Sequence, residues 1–337
     1  MIERNADLSG ANTLALPARA ERLARPASEE ALAEALAARA AGEPLFVLGQ
    51  GSNIVLDGDL PGLTLIPALS GIEYREQGDT ARVTVGAGVV WDTLVADTVT
   101  RGWRGLENLS LIPGTAGAAP FQNIGAYGVE LADVLDSVDT LAVADGRPVR
   151  FEAADCEFDY RDSLFKSRRR GEFIITGITL TLRRHGPCRV DYGALAARFA
   201  GTDPASLDPA TVRQAVIEQR RSKLPDPREL PNAGSFFKNP VVSTAHHDRL
   251  KAVWPELVAF PHRDGMKLAA GWLIERAGWK GRSLGPVGMH RDQALVLVNH
   301  GGARAADVRA LAAAVRADVR QRFDVDLEQE PVLLPGR

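Results

Sequence analysis

Cysteine is scarce in this sequence of 337 residues. The two cysteines, Cys156 and Cys188, stand far apart and outside any CxxC spacing. Small extracellular proteins use paired cysteines as disulfides, whereas thiols in the cytoplasm stay reduced. We therefore expect two free thiols and a cytoplasmic location.

Long apolar runs and surplus positive charge are also missing. No stretch is apolar for the length that a membrane span requires, and the first twenty residues lack the uninterrupted apolar segment of a signal peptide. The formal net charge of −3 argues against general binding to nucleic-acid phosphates. The six histidines fall into no metal-ligand spacing. These absences favour an enzyme or binder of small molecules, with no metal, membrane or nucleic-acid partner.

The patterns that are present predict an α+β chain with mixed sheets. Ser28 is placed to cap a helix that runs to Gly42, and Asp208 followed by Pro209 begins another helix. Asp145 and Gly146 predict a hairpin turn. Further predicted helices cover 91–102, 266–278 and 305–323, and further predicted strands cover 45–48, 53–56, 63–66, 173–184, 294–299 and 323–327.

Three glycine-rich stretches follow predicted strands: GQGSN at 49–53, GAGVVW at 86–91 and IPGTAGAAPFQNIGAYG at 112–128. GAGVVW departs from the dinucleotide-binding pattern GxGxxG at its last position, Trp91, so a strand turning into a helix is favoured there. The other two stretches contain no basic residue, yet successive backbone N–H groups can bind a pyrophosphate. GQGSN alone could equally be a tight turn. A loop of 17 residues this rich in glycine is seldom kept without a function.

The segment GLENLSLIPGTAGAAPFQNIGAYGVEL resembles the flavin loop of the UDP-N-acetylenolpyruvoylglucosamine reductases. The resemblance continues in order through FDYRDSLFK, KLPDP, NAGSFFKNP, KLAAGWLIERAG, HRDQALVLVN and LEQE, and so covers nearly the whole chain. It points to the longer subclass, which carries a mobile tyrosine loop. The implied fold is the FAD-binding fold of the vanillyl-alcohol-oxidase type in two α+β subdomains, followed by an α+β substrate-binding domain. The implied bounds are 1–70 joined by 323–337 for the first subdomain, 71–200 for the second, and 201–322 for the substrate domain.

The resemblance implies a reaction as well. A monomer with non-covalent FAD would use NADPH to reduce UDP-N-acetylglucosamine enolpyruvate to UDP-N-acetylmuramate, a step of peptidoglycan precursor synthesis. Hydride transfer from flavin N5 to the methylene carbon puts negative charge on the carboxylate and leaves the other carbon in need of a proton. By motif position, Arg161 and Glu330 would stabilise this enolate and Ser235 would donate the proton.

Some assignments around these residues have competitors. Glu328 competes with Glu330, because residues two apart share one face of a strand. Ser235 is not interpreted as a nucleophile, because the chain has no GxSxG elbow and the surrounding motif has no histidine base. Lys238 is expected to aid the proton transfer by its charge. Asp162 and Lys166 are expected to brace the turn that carries Arg161.

The resemblance also assigns residues that bind the two ligands. The expected FAD-binding residues are Gly49, Gln50, Gly51, Ser52, Asn53, Ile112, Pro113, Gly114, Thr115, Gly117, Ala118, Gln122, Asn123, Gly125, Ala126 and Tyr127. The expected UDP-sugar-binding residues are Tyr192, Arg220, Lys223, Asn239, Phe260, Lys267 and Gln293.

One of these positions departs from the family pattern, and two alternative functions remain. Phe260 stands where better-known long-form members carry tyrosine, which removes one neutral hydrogen bond of about 1 kcal/mol. The alternative functions are a non-covalent FAD oxidase of the same fold and a non-catalytic flavin or nucleotide-sugar binder.

Overall fold

The computed structural model describes residues 2–336 of the chain. Its seven α-helices within that range are α1 Glu29–Ala37, α2 Trp91–Thr100, α3 Gly193–Arg198, α4 Pro209–Arg221, α5 Thr244–Val253, α6 Ala270–Arg276 and α7 Ala305–Phe323. No helix among these residues combines the length and the hydropathy needed to cross a bilayer.

Twenty short strands accompany the helices in the described range. They are β1 Ile2–Asp7, β2 Arg19–Ala24, β3 Leu45–Val47, β4 Ile54–Leu56, β5 Leu60–Leu65, β6 Ile72–Gln77, β7 Thr80–Gly86, β8 Gly125–Ala126, β9 Val129–Glu130, β10 Leu135–Ala142, β11 Pro148–Glu152, β12 Phe173–Arg183, β13 Asn232–Ser235, β14 Val241–Val242, β15 Ala259–His262, β16 Gly265–Leu268, β17 Ser283–Leu284, β18 Val287–Met289, β19 Val296–Asn299 and β20 Val332–Leu334.

The chain forms two compact units, each assembled from separate stretches. The first unit comprises the chain up to Ala6, Ala20–Gln50 and Leu60–Ser222. The second comprises Asp7–Arg19, Gly51–Asp59 and the chain from Lys223 onward. The division into three domains expected from the resemblance stays a prediction, and the compact first unit continues to the end of α4.

The first unit contains two sheets. The smaller sheet has the order β1-β2-β5-β3, in which β5 runs parallel to both β2 and β3, and α1 covers it with Leu32 and Leu36. The larger sheet is antiparallel and has the order β11-β10-β12-β7-β6. Helix α2 packs its apolar side into the core of the larger sheet through Trp91 and Leu94. GAGVVW is therefore the expected link from a strand into a helix.

The second unit is built around α7, whose apolar side is fully covered. A four-stranded sheet has the order β13-β19-β18-β17, a three-stranded sheet has the order β14-β16-β15, and β20 pairs in parallel with β4. Leu311, Val315 and Val319 of α7 are at 0% exposure and share one core with α6 and the four-stranded sheet. This apolar stripe recurs every four residues, which is why the pattern predicted the helix correctly.

Most predicted elements are confirmed. Ser28 Oγ accepts the Ala31 N–H at 3.2 Å at the start of α1, and Asp208 Oδ1 accepts the Ala210 N–H at 3.0 Å at the start of α4. The hairpin between β10 and β11 turns at Asp145 and Gly146 as expected, with Gly146 at φ +69°.

Three predicted boundaries were wrong, each for a tertiary reason. Helix α1 ends at Ala37 rather than Gly42, because the Glu43 carboxylate accepts the Ala40 N–H at 2.8 Å while it also pairs with Arg22. The helix predicted over 266–278 begins only at Ala270, since the preceding residues pair as β16 with strands on both sides.

The third wrong boundary concerns the last strand. No strand forms over 323–327, where Phe323 ends α7 and the chain then continues without ladder pairing. The last strand is β20, which pairs with β4, a segment about 280 residues earlier in the sequence. Such a long-range partner leaves no local trace in the sequence pattern.

Gly51 links two segments of the second unit at close range. It adopts φ +64°, and a Cβ at this position would lie 2.1 Å from the Ala11 carbonyl oxygen. The Thr13 N–H donates to the Gly51 carbonyl at 3.1 Å. Only a residue without a side chain permits this backbone contact.

We predict that Gly51→Ala lowers the free energy of unfolding by roughly 2–4 kcal/mol, from the left-handed conformation together with the backbone clash. Gly42→Ala is the matched control, because Gly42 has a similar φ of +75° with nothing within 4 Å of the added Cβ. The control should lose only about 1 kcal/mol. Urea unfolding of both variants measures this difference, and equal losses would contradict the clash.

Candidate flavin and substrate site

The loop at 111–128 is held in an irregular backbone by side chains from elsewhere in the first unit. Leu111, Asn123 and Tyr127 are non-glycine residues in the left-handed region, with φ of +56°, +44° and +51°. Such residues are costly and persist only where surrounding contacts hold them. The loop is therefore held in one fixed conformation, and its role in binding a pyrophosphate stays a prediction.

The loop is brought together with the start of GQGSN. The Gln50 Oε1 accepts the Gly114 N–H at 3.1 Å, and a Cβ on Gly49 would lie 3.1 Å from the Thr115 Oγ1. The loop also meets the residue just after β7, because a Cβ on Gly117 would come within 2.6 Å of the Ala87 Cβ. These contacts bring Gly49 and Gln50 next to Gly114 and Thr115 of the loop.

The remaining predicted cofactor residues are divided between the two units. Gly51, Ser52 and Asn53 belong to the second unit, where the Asn53 carbonyl accepts the Val332 N–H at 3.0 Å. Along the loop in the first unit Pro113 is exposed, whereas Ile112, Ala118, Gln122, Gly125, Ala126 and Tyr127 are half-buried. Asn123 differs from them because its side chain is buried and bonded within the protein.

Arg161 occupies a tight reversal beside this loop. Asp159 and Asp162 exchange backbone hydrogen bonds of 3.2 and 3.1 Å, so the reversal contains only Tyr160 and Arg161. Arg161 itself has φ +55°, and its Nη2 donates to the Gly125 carbonyl at 2.8 Å. The Lys166 Nζ donates to the Arg161 carbonyl at 2.8 Å, which confirms the expected bracing role of Lys166.

Arg220, near the end of α4, is a cation in an unusual environment. Its Nε is shielded from solvent and has no hydrogen-bond partner among residues 2–336. Burial lowers the pKa of Arg220 below the usual arginine value, with Arg161 acting in the same direction while Tyr127 and Asp92 oppose it. A buried guanidinium donor without a partner fits an anionic ligand such as a diphosphate.

Two orphaned polar groups and the glycine surface together test whether a flavin nucleotide fits. Besides the Arg220 Nε, the Asn108 Oδ1 is buried without a partner in the described chain, although the Asn108 Nδ2 donates to the Tyr127 carbonyl at 2.9 Å. A surface of small residues beside a buried acceptor that is unpaired among the described residues lets a flavin dinucleotide approach the backbone closely. The residues present therefore fit FAD.

Tyr192 lies against the end of the same loop. A Cβ on Gly128 would lie 3.3 Å from the Tyr192 Cβ, while the Tyr192 side chain is 46% exposed. The Asn108 Nδ2 connects the two segments, because it donates both to the Tyr127 carbonyl and, at 2.7 Å, to the Arg189 carbonyl. The predicted tyrosine loop is thus in contact with the flavin loop.

In the second unit, Ser235 ends β13 next to Gly234, which has φ +67°. The next residues pair with the C-terminal segment, since the Lys238 N–H donates to the Glu328 carbonyl and the Glu330 N–H to the Phe236 carbonyl, both at 2.9 Å. The motif NAGSFFKNP and the motif LEQE, about 90 residues apart in sequence, are therefore neighbours. Glu330 is half-buried, whereas the Glu328 side chain is 71% exposed.

The Lys238 side chain forms an ion pair with Glu328. Its Nζ lies 2.6 Å from the Glu328 Oε1, and this ion pair neutralises much of its field. The expectation that Lys238 assists the proton transfer stays a prediction, and the pairing weakens its physical basis.

Phe260 and Lys267 are cross-strand partners in β15 and β16, so they share one face of the three-stranded sheet. The Asn239 Oδ1 accepts the Ala270 N–H at 2.9 Å and so caps α6. Gln293 is half-buried beside Gly271, and Lys223 is exposed just after α4. The structure thus brings Phe260 and Lys267 together directly.

Comparisons with known proteins agree along the whole chain. A family model described as UDP-N-acetylenolpyruvoylglucosamine reductase, C-terminal domain, matches residues 226–334, and one described as FAD binding domain matches residues 20–152. The UDP-N-acetylenolpyruvoylglucosamine reductase of Alcanivorax borkumensis is 60% identical over 98% of this chain and 96% of its own length. That of Azoarcus sp. is 50% identical over 99% of this chain and 98% of its own length. The chain belongs to the UDP-N-acetylenolpyruvoylglucosamine reductase family.

Solved structures confirm the expected fold. The reductase of this family from Thermus caldophilus superposes with a TM-score of 0.70 at 26% identity, covering 99% of both chains. The 6-hydroxy-D-nicotine oxidase of Arthrobacter nicotinovorans, at 14% identity and a TM-score of 0.55 over 97% of this chain and 86% of that one, shares the fold alone. The FAD-binding fold of the vanillyl-alcohol-oxidase type is therefore confirmed, and the chain is a flavin-dependent oxidoreductase of this family.

The sequence interpretation missed the ion pair that joins α2 to α4. Arg213 donates from both terminal nitrogens to Asp92, at 2.7 and 3.0 Å, and the Asp92 Oδ1 also accepts the Leu111 N–H at 2.7 Å. Arg213 lies seven residues before Arg220 on α4, so the two side chains leave the helix on the same side. The ion pair between Arg213 and Asp92 therefore holds the side of α4 that carries Arg220. Through the Asp92 carboxylate it also holds Leu111 at the start of the flavin loop. The pair joins helices more than a hundred residues apart, and neither residue belongs to a recognisable motif.

The charge of Asp92 should make this anchor sensitive to acid. Burial acts to raise the pKa of Asp92, but the hydrogen bonds from Arg213 and the Leu111 N–H outweigh it and lower the pKa below its usual value. A carboxyl group with a lowered pKa stabilises the fold above its unfolded pKa of about 3.9, and this stabilisation is lost as the pH falls through the folded pKa.

We predict that Asp92→Asn costs about 2–3 kcal/mol of unfolding free energy at pH 7 and that this difference from wild type shrinks below about pH 4. Urea unfolding at pH 7 and pH 3 measures it. Glu76→Gln serves as the control, since its pair with Arg184 is 49% and 38% exposed and should be worth less than about 1 kcal/mol. A cost for Asp92→Asn that is unchanged between the two pH values would show that the charge is not the source.

Proposed function

We propose that this chain catalyses the NADPH-dependent reduction of UDP-N-acetylglucosamine enolpyruvate to UDP-N-acetylmuramate, with non-covalent FAD. The observation that carries the proposal is the Arg161 guanidinium, which is fixed to the flavin loop by its bond to the Gly125 carbonyl at 2.8 Å. A permanent cation with a planar set of donors suits a substrate carboxylate on which negative charge develops. A protein that only binds flavin has no use for it.

The chain's residues divide the chemistry between them. The chemistry that bound FAD supplies is the relay of a hydride from NADPH to the methylene carbon of the enolpyruvyl ether. Arg161 stabilises the enolate oxygens that form as the hydride arrives, and Glu330 shares this role on the strength of its half-buried position beside the Ser235 segment. The Ser235 Oγ–H then gives its proton to the second carbon, which completes the addition of one hydride and one proton.

Binding of the two nucleotides follows from charge and shape. The FAD-binding residues lie in the two glycine stretches, whose small side chains let a dinucleotide approach the backbone closely. Arg220, Lys223 and Lys267 supply cations for the UDP diphosphate, and Asn239 and Gln293 supply amides for the uracil and N-acetyl groups. Phe260 lies under the ligand as an apolar surface, and Tyr192 closes over it.

The proposal extends to the state of the protein in the cell. Cys156 and Cys188 are both buried and free, and burial raises the pKa of each thiol to about 12. Unreactive free thiols suit a reducing cytoplasm. We infer a cytoplasmic monomer, which gel filtration of the purified protein tests.

The central experiment uses the purified yellow protein without oxygen. NADPH should bleach the flavin absorbance, and UDP-N-acetylglucosamine enolpyruvate should restore it. Recovery only when oxygen is admitted would instead indicate an oxidase, and an absence of bleaching would indicate a binding protein.

We predict that Ser235→Ala keeps the rate of flavin reduction by NADPH and slows flavin reoxidation by the enolpyruvyl substrate by about 10²–10⁴-fold, the usual value of a positioned general acid. Stopped-flow absorbance measures the two half-reactions separately. Ser235→Cys, which retains an ionisable hydrogen of similar size, should recover part of the rate. Equal loss of both half-reactions in Ser235→Ala would contradict a proton-donor role.

We predict that Phe260→Tyr lowers the KM for the UDP-sugar about fivefold with kcat unchanged, because it restores one neutral hydrogen bond of about 1 kcal/mol. Phe260→Leu is the control and should raise KM by removing the flat apolar surface. Steady-state kinetics at saturating NADPH measures both, and an unchanged KM in Phe260→Tyr would place this residue outside the substrate site.

A further inference from the structure

The position of Arg161 requires an explanation, because its backbone is unfavourable. Arg161 stands at φ +55° in a reversal of only two residues. A non-glycine residue in the left-handed region costs roughly 1–2 kcal/mol, so neighbouring contacts must hold it there. Lys166 holds the Arg161 carbonyl, Gly125 of the flavin loop accepts from the guanidinium, and Asn123 of the same loop bonds the Asp159 carbonyl at the start of the reversal.

The side chain of Asn123 makes its hydrogen bonds to other residues of the protein. It is 1% exposed, and its Nδ2 donates to the Glu130 Oε2 at 2.8 Å and to the Asp159 carbonyl at 3.3 Å. Its Oδ1 accepts the Ala132 N–H at 3.1 Å. Both amide hydrogens are therefore used, which leaves the side chain no donor for a flavin or a ribose.

Gly125 determines where the guanidinium lies. Its carbonyl accepts the Arg161 Nη2, and a Cβ at this position would lie 3.1 Å from the Arg161 Nη1 and 2.9 Å from the Glu130 Cγ. A side chain on residue 125 would therefore crowd both the guanidinium and Glu130.

Glu130 is held in place by two hydrogen bonds with Asp133. Its N–H donates to the Asp133 Oδ2 at 2.9 Å, and its side chain accepts the Asp133 N–H in a reciprocal capping box. The Glu130 carboxylate that receives Asn123 is therefore a rigid acceptor. One chain of contacts runs from this capped turn through Asn123 to the Asp159 carbonyl, two residues before Arg161.

We propose that Asn123 is a positioning residue for Arg161 and not a ligand of the cofactor, so that the same loop that receives the flavin also sets the location of the catalytic guanidinium. This inference rests on the proposed role of Arg161 in the reduction. Under this proposal Asn123 holds the segment that carries Arg161, instead of binding FAD as the sequence analysis assigned.

The test separates the two half-reactions in the holoenzyme. Asn123→Asp keeps an acceptor for the Ala132 N–H, removes both donors, and sets a carboxylate against Glu130. We expect flavin reoxidation by the enolpyruvyl substrate to slow 10- to 100-fold, as a displaced catalytic group would cause. The FAD dissociation constant, the flavin absorbance spectrum and flavin reduction by NADPH should stay within twofold of wild type.

A double-mutant cycle shows whether the effect passes through Arg161. In an Arg161→Lys background, Asn123→Asp should change reoxidation by less than twofold, since there is no longer a guanidinium to position. Asn108→Asp is the matched control, because Asn108 is also buried and bonded to the loop but makes no bond to the reversal at Asp159–Asp162. Its effect should be the same in both backgrounds.

Two outcomes would overturn the proposal. Weaker FAD binding or a shifted flavin spectrum in Asn123→Asp would make Asn123 a cofactor ligand, and additive effects with Arg161→Lys would show that it does not act through Arg161. If Asn123→Asp does not fold, Asn123→Gly, which accepts φ +44° and adds no charge, carries the same expectations. Failure of the proposed function appears separately, as wild-type flavin that the enolpyruvyl substrate does not reoxidise, and it would remove both proposals.

Discussion

Hydrogen bonds between side chains and the backbone of the flavin loop are the constraint on which the first unit depends. The loop has few ladder bonds of its own, and three of its non-glycine residues are left-handed. Asp92 fixes the Leu111 N–H, Gln50 the Gly114 N–H, and Asn108 the Tyr127 carbonyl. A buried backbone group left without a partner destabilises the fold by about one lost hydrogen bond. These side chains supply partners that the irregular loop lacks within its own backbone. A loop fixed in this way can receive a ligand without reorganising.

The same arrangement links binding to chemistry. Arg220 and Arg161 are both cations close to the loop. Burial and the charge of Arg161 lower the pKa of Arg220, and the Arg161 Nη2 donates to the Gly125 carbonyl. Two like charges near one another are tolerated where an anionic ligand is expected. In the second unit, the pairing of the Ser235 segment with the Glu330 segment plays a comparable part, because backbone bonds hold two motifs together that lie 90 residues apart.

Much of the fold was readable from periodicity and capping. Helices α2, α4 and α7 and the strands β12 and β19 follow the predicted ranges closely, since each has a strong local pattern or a definite cap. The errors occurred where a distant partner overrode the local signal. Residues 266–268 have helical composition yet form β16, because strands are available on both sides. The local pattern of 323–327 is that of a strand, but no partner lies beside it.

The sequence by itself determined the family, the flavin loop and the candidate catalytic residues, because these reside in contiguous motifs whose residue types carry the chemistry. Only the tertiary structure decided how those residues are held. Glu328 and Glu330 are equivalent by strand periodicity, but one is exposed and paired with Lys238 while the other is half-buried. The amide side chain of Asn123 is of a type that often binds ligands, but in the fold it bonds to Glu130 and Asp159. The physical reason is that a side chain's hydrogen-bond partners are set by residues distant in sequence.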